Sequence, residues 1–293
     1  MKSEKPYCQL IGAGRTGRVL SIALTMAGYQ FTWIGSGKIG DSHKLAEQIG
    51  ISSYGVGFEG FNQKAGFLLL AVPDDKIKDV ASDAVRAGVI GNDTVVAHMS
   101  GALGSDILEK AKSAGAAVMA FHPAQTFTKF SDPETVFKNI CFDMEGSEDA
   151  CILGEQVARD LGADSIRLDP EARIVSHLAM TVASNYTVSL LRMAEDIMVF
   201  AGIPQNTADK MLLPLFSSTA RNITSIGTLK ALTGPVSRGD TEVIEKHLAA
   251  LENIDEHYRI LYKKLARIAL NITVERGDIS EEKAEEIKKI ISS

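Results

Sequence analysis

Cysteine is scarce: Cys8, Cys141 and Cys151 are the only three in 293 residues. Their number is odd and none forms a C-x-x-C pair, so neither a disulfide framework nor a zinc site is expected, and no metal is assigned. A reducing cytoplasm is the expected compartment. Charge of one sign is also missing. With 31 basic against 37 acidic residues the formal net charge is -6, and no basic stripe with interleaved aromatics occurs, so nucleic acid is not an expected partner. No apolar run approaching the length of a bilayer span is apparent, and no signal-type apolar core precedes a cleavage site, so neither a membrane segment nor a leader is expected. No internal repeat or low-complexity stretch stands out.

Hydrophobic residues make up 45% of the chain and charged residues 23%, the balance of a packed globular protein, and the length suits two ordinary domains. Short apolar runs recur through the first half: Tyr7–Ile11, Phe31–Ile34, Phe67–Val72, Thr94–Ala97, Ala117–Phe121 and Ile140–Phe142, and Ile166–Leu168 is a candidate last strand. Helix-like stretches lie between several of them, at Arg18–Ala27, Asp75–Ala87 and Ser105–Gly115. Such alternation predicts right-handed crossovers and a mainly parallel, doubly wound sheet, with the runs apolar on both faces because helices cover both. After Asp169 the pattern changes. Asp169-Pro170 is an N-cap acid followed by proline at the first helical position, and no breaker follows until Gly202 and Pro204. Further helices are expected at Asn206–Ile226, Thr241–Ala250 and Glu281–Ile291. The expected division is an α/β domain over residues 1–168 and an all-helical domain over residues 169–293.

Gly12-Ala13-Gly14-Arg15-Thr16-Gly17 is a G-x-G-x-x-G. Alone it is a weak signal, but here it follows an apolar strand and opens an amphipathic helix, the setting a dinucleotide pyrophosphate requires. Gly12 permits the tight turn, Gly14 lets a phosphate approach the backbone, and Gly17 lets helix and strand pack closely. The helix N-terminus presents unpaired N–H groups and a positive dipole end. The second strand ends Trp33-Ile34-Gly35-Ser36-Gly37-Lys38, without the acid that would bind a ribose 2′-hydroxyl. Ser36 and Lys38, with help from Arg15, suit an extra 2′-phosphate, so NADP is favoured over NAD. The plainer reading of Lys38 is a solvated loop lysine.

Ligands of an open parallel sheet sit beyond the strands' carboxyl ends. Three polar strand ends fall there: Val72-Pro73-Asp74, His98-Met99-Ser100-Gly101, and His122-Pro123-Ala124-Gln125-Thr126. One strand-end histidine is as readily a backbone-bonded imidazole as a functional one; two on one edge favour function. Asp74 also reads as the N-cap of the next helix. In the helical domain His177, Thr181 and Asn185 are spaced by four, hence on one helical face, with Ser184 beside them. That strip is either hydrogen-bonded internally or meets a ligand. Arg238 lies between the Gly234-Pro235 and Gly239-Asp240 turns. A guanidinium there suits a carboxylate or phosphate, or else an ion pair. Asp240 is equally a helix N-cap. His247, Asn253 and His257 read as surface or interface residues.

Taken as a set, the G-A-G-R-T-G opening, Ala71-Val72-Pro73-Asp74-Asp75, His98-Met99-Ser100-Gly101, Phe121-His122-Pro123 with Gln125-Thr126-Phe127, the His177–Asn185 helix and Gly234-Pro235 with Arg238-Gly239-Asp240 carry a family resemblance over nearly the whole chain. The chain resembles Rossmann-like oxidoreductases whose C-terminal helical domain is of unknown function. These lie within the 6-phosphogluconate dehydrogenase-like superfamily, with ketopantoate reductase and pyrroline-5-carboxylate reductase. The resemblance implies an NADP-binding domain, an all-helical second domain and a hydride-transfer enzyme without a defined substrate. Relatives commonly place a lysine one turn before an asparagine on the first long helix. Asn185 fits the asparagine, but Thr181 stands in the lysine's place. The expected roles are therefore His177 as proton donor with His122 as the alternative acid, Asn185 and Ser100 holding the reacting atom, Thr181 lining the substrate and Arg238 binding its anion. The expected substrate is a small carbonyl or imine compound, such as a ketopantoate-like 2-oxo acid. Two other readings stay open: an NADP-binding sensor or scaffold without catalysis, and a deazaflavin-linked NADP oxidoreductase. The long apolar helix exceeds what one small domain can cover, so a homodimer joined through helical domains is expected.

Overall fold

A computed structural model describes residues 5–61 and 63–292. It divides into two compact units, Met1–Ser184 and Asn185–Ser293. The change from strands to helices comes after residue 167, close to the expected 168/169 boundary. The compact units divide later, because the first helix after the sheet is anchored to the sheet domain by a buried arginine described below.

The first unit is built on one sheet of β1 (Cys8–Ile11), β2 (Phe31–Ser36), β3 (Tyr54–Val56), β4 (Phe67–Leu70), β5 (Val95–His98), β6 (Ala117–Pro123), β7 (Cys141–Gly146) and β8 (Asp164–Arg167). The strand order is β3-β2-β1-β4-β5-β6-β7-β8, so the order reverses beside β1, as in a doubly wound sheet. All pairs are parallel except β6 with β7, which run antiparallel with His122 opposite Asp143. Helices α1 (Arg15–Met26), α2 (Ile39–Ile49), α3 (Asp74–Arg86), α4 (Glu109–Ser113, led by a 3₁₀ turn at Ser105–Leu108), α5 (Glu148–Asp160) and α6 (Pro170–Ala183) complete it. β1 and β4 are buried along their whole length, as a sheet with covered faces requires. One cluster gathers Leu10, Leu20, Leu24 and Phe121. Another gathers Ile11, Leu68, Ile77 and Val118. Alternate residues of the same strands thus feed opposite faces.

The second unit contains α7 (Asn185–Phe200), α8 (Gln205–Ala231), α9 (Pro235–Arg238), α10 (Thr241–Glu252), α11 (Glu256–Arg276) and α12 (Glu281–Ser292). A small core joins Val236, Ile244, Leu248, Leu270 and Ile287. Gly227 interrupts α8 with φ 80° and ψ 160°.

Two expectations are corrected, and one strand was not expected. The continuous helix from Pro170 to Ala201 is two helices, broken at Ser184 with φ -108° and ψ -71°. His177, Thr181 and Asn185 therefore do not share one unbroken helical face. Short β3, three residues containing a glycine, gave no readable run. The expectation that no apolar stretch reaches span length also fails: Pro170–Phe200 is long and apolar enough by length and composition, and none of its most apolar window is buried. The break at Ser184 and the charged Arg192, Glu195 and Asp196, paired among themselves, divide that stretch.

Candidate functional site

The glycine loop has the geometry its spacing implies. Gly12 adopts φ +113°, and a Cβ there would meet the Ala71 carbonyl oxygen at 2.3 Å. A Cβ on Gly17 would lie 2.0 Å from the Gly12 carbonyl oxygen, which is why α1 can pack against the β1 end only with glycine there. Gly14, the N-cap of α1, faces open space: nothing lies within 4 Å of its Cβ position. The first turn of α1 has no acidic residue and no side-chain cap. Its N–H groups and positive dipole end are therefore free for an anion.

Around this loop, Ala13 and Thr16 are half-buried and Arg15 is exposed. Ser36 is buried as the last residue of β2, and exposed Lys38 is the N-cap of α2. Val72 and Pro73 follow β4, and Pro73, not Asp74, is the N-cap of α3. The Asp74 carboxylate instead accepts the Ser100 hydroxyl proton at 2.8 Å.

Ser100 is buried, and its hydroxyl oxygen also accepts from the amides of Ala102 (3.2 Å) and Leu103 (3.1 Å). With its proton given and both lone pairs taken, it shapes the 98–104 turn and has no bond left for a reacting atom in this arrangement. His98, fully buried, closes the same turn. Its Nε2 donates to the Gly104 carbonyl at 3.0 Å and its Nδ1 accepts from the Ser100 amide at 3.2 Å. Those partners fix one neutral tautomer, and burial holds its pKa below the usual histidine value. The plainer reading of a strand-end histidine therefore holds for His98.

His122 and His177 differ from His98. Their rings meet edge to face at 5.8 Å between centroids and 80° between planes. Both lie over Gly101. A Cβ at 101 would fall 2.5 Å from His177 Nδ1 and 2.9 Å from His122 Nε2 and Cε1. Two imidazoles thus converge on the space that the missing side chain leaves. Among the described residues, His177 Nδ1 is the one buried side-chain polar atom with no hydrogen-bond partner. An orphaned nitrogen in a polar cluster costs free energy unless a ligand or a changed ring setting satisfies it.

Two residues of this site were not singled out in the sequence, Asp143 and Arg173. His122 Nδ1 donates to Asp143 Oδ2 at 2.8 Å. Arg173 Nη1 donates to Asp143 Oδ1 at 3.0 Å, its Nη2 to the Ser100 carbonyl at 2.7 Å and its Nε to the Leu103 carbonyl at 2.9 Å. The Arg173 side chain is only 1% exposed. One helix residue thus ties α6 to β7 and to the 98–104 turn.

In the second unit, Thr181's expected partner Asn185 opens α7 and is exposed; Thr181 itself is half-buried on α6. Exposed Arg238 ends the single turn α9 and lines a shallow cavity of about 480 Å³ with Lys230, Thr233, Gly234, Ser237 and Arg276. Arg276 staples that cavity wall: its Nη1 donates to the Leu229 (3.0 Å) and Leu232 (2.8 Å) carbonyls, and it pairs with Asp278. Asp240 caps α10, accepting from the Val243 amide at 3.3 Å. His247 is exposed and bonds Tyr262 at 2.9 Å; Asn253 and His257 are also exposed.

Two family models match the chain in succession, the Rossmann-like domain over residues 2–123 and the domain of unknown function DUF2520 over residues 140–268. No curated protein sequence matches at a significant level. Among solved structures, a Thermotoga maritima protein is 25% identical with a TM-score of 0.73, over 92% of this chain and 99% of that one. A candidate NADP oxidoreductase from Bacteroides fragilis is 24% identical with a TM-score of 0.72, over 90% and 98% respectively. An imine reductase from Myxococcus stipitatus in complex with NADP+ is 17% identical with a TM-score of 0.63, over 91% and 94%. The last two share the fold.

Proposed function

We propose that this chain, whose residues 2–123 match a Rossmann-like domain model and residues 140–268 the DUF2520 model, is an oxidoreductase. It moves a hydride between NADP(H) and a small carbonyl or imine compound. The observation that carries this reading is the uncapped N-terminus of α1 behind Gly12, Gly14 and Gly17, at the reversal point of the sheet. The likeness to an imine reductase holding NADP+ agrees with it.

When bound, the nicotinamide supplies or accepts the hydride. The chain's residues hold and protonate. Amides at the start of α1 bind the pyrophosphate, with Ser36, Lys38 and Arg15 assigned to the 2′-phosphate. The imidazole pair His122 and His177 is assigned the proton that the substrate oxygen or nitrogen gains as its carbon gains hydride. Thr181 and Asn185 are assigned to the substrate, and Arg238 to its carboxylate, which favours a 2-oxo acid such as ketopantoate. Ser100 is reassigned from holding the reacting atom to shaping the turn beneath the histidines.

The reading includes a homodimer. Val175, Leu178 and Val182 on α6, Val188 and Phe200 on α7, and Leu213, Leu215 and Phe216 on α8 are exposed, and large apolar side chains on long helices are what a partner's helices would cover. Sedimentation at micromolar concentration is expected to give twice the chain mass; a monomer removes that part of the proposal. A cytoplasmic location suits the three free thiols. The experiment for the function is NADPH oxidation against a panel of 2-oxo acids and cyclic imines. Turnover that falls by about 10²-fold or more in His122→Ala or His177→Ala supports it. NADPH binding with no turnover of any panel member favours a sensor.

A further inference from the structure

We propose that Asp143, locked by Arg173, is a positioning residue that sets which nitrogen of His122 exchanges the proton. This rests on the oxidoreductase reading above. Antiparallel pairing of β6 and β7 puts His122 directly opposite Asp143, so both side chains stand on one face of the sheet. The Asp143 carboxylate only accepts. It takes the Nδ1 hydrogen of His122 at 2.8 Å, which leaves Nε2 as the free nitrogen. Nε2 is the atom that faces the space over Gly101, across from His177. Nε2 therefore takes up a proton from solvent to form the imidazolium and passes that proton to the substrate, which returns the ring to its Nδ1–H form while Nδ1 stays committed to Asp143. The logic is that of any base oriented by a third group.

Arg173 makes the arrangement one-way. Its buried guanidinium occupies Asp143 Oδ1 and also donates to two backbone carbonyls, so neither the carboxylate nor the guanidinium has room to rotate. Consider Asp143→Asn. Arg173 Nη1 still demands an acceptor, so the new amide oxygen stays with Arg173. Its NH₂ then faces His122 Nδ1 and can only donate. Nδ1 is forced to accept, and the neutral ring must carry its hydrogen on Nε2. The isosteric change keeps the volume and reverses the tautomer.

The test uses the full chain labelled with ¹⁵N in the histidine rings, observed in alkaline solution, with His122 assigned through His122→Gln. Wild type is expected to show a protonated Nδ1 and a bare Nε2, and Asp143→Asn the reverse. A wild type that carries its hydrogen on Nε2 overturns the proposal, and this reading does not depend on Asp143→Asn folding. An unchanged tautomer in folded Asp143→Asn overturns it equally. On any substrate turned over, Asp143→Asn is expected to lower kcat by about 10²- to 10⁴-fold with KM moved less than about tenfold; equal loss in both, or none, counts against it. Calorimetric titration of the same samples with NADPH separates the two claims. If wild type binds no dinucleotide, the oxidoreductase reading falls whatever the tautomer is. If both proteins bind it and only the tautomer fails to reverse, the positioning role alone falls.

Discussion

Removing Arg173 is the sharpest stability test of the site. Its side chain is 1% exposed and its guanidinium donates to Asp143, Ser100 and Leu103. Arg173→Met keeps much of the buried stem but leaves the Asp143 carboxylate, itself 6% exposed, with only His122. Breaking a buried pair by deleting one partner costs about 3–5 kcal/mol, because the remaining charge is stranded. For a cooperative unit of this size, each kcal/mol lowers Tm by roughly 2–4 °C, so a fall of about 6–20 °C is expected. The single tryptophan, Trp33, is buried in β2 and reports on this unit, so urea unfolding followed by its fluorescence measures the loss. Arg173→Met with Asp143→Leu removes both charges, and is expected to be less destabilised than Arg173→Met alone. A loss under about 1 kcal/mol for Arg173→Met, or a double variant worse than the sum of the singles, refutes the claim that Arg173 anchors α6 through a buried ion pair.

Burial lowers the His98 pKa below 6.5, so the unfolded chain binds this proton more readily than the folded one. Its contribution to stability is then whole above pH 6.5 and is lost as pH falls below that value toward the folded pKa. In thermal melts across that range His98→Gln should flatten this acid limb; an identical limb in wild type and variant contradicts the assignment. Gly17→Ala should weaken NADPH binding by at least about tenfold, or 1.4 kcal/mol, since its Cβ would sit 2.0 Å from the Gly12 carbonyl oxygen; calorimetry that finds unchanged affinity refutes the packing argument. Lys38→Glu should cut NADPH affinity by roughly 10- to 100-fold, the worth of a charge-assisted hydrogen bond, while leaving NADH nearly untouched. Equal effects on the two dinucleotides would return Lys38 to a solvated loop lysine.

The sheet domain was legible because its signals are local. Apolar runs such as Phe67–Val72 mark buried strands, and G-x-G-x-x-G after a strand marks a turn that only glycines can make. Helix ends were legible where a cap or proline spelled them, as at Asp169-Pro170. The break at Ser184 was not, because it follows neither glycine nor proline. Asp143 and Arg173 escaped for a different reason. The expected strand Ile140–Phe142 stopped one residue short of Asp143, and nothing local to β6 or β7 says that they run antiparallel. An acid flanked by Phe142 and Met144 was the available signal, as was a lone arginine among Ile174, Val175 and Leu178. Each meets the other only through a pairing that spans 30 residues of chain. Ser100 shows the converse: its position at a strand end suggested chemistry, and its bonds to Asp74, Ala102 and Leu103 give it a structural task.

The central claim is that the amides opening α1 grip a dinucleotide pyrophosphate. Calorimetric titration of the purified protein with NADPH and, separately, with NADH tests it without knowledge of any substrate. Saturable binding at one site per chain, tighter for NADPH and abolished or weakened by Gly17→Ala, is the expected result. The absence of binding heat for both dinucleotides, with no thermal stabilisation by either, would contradict the account.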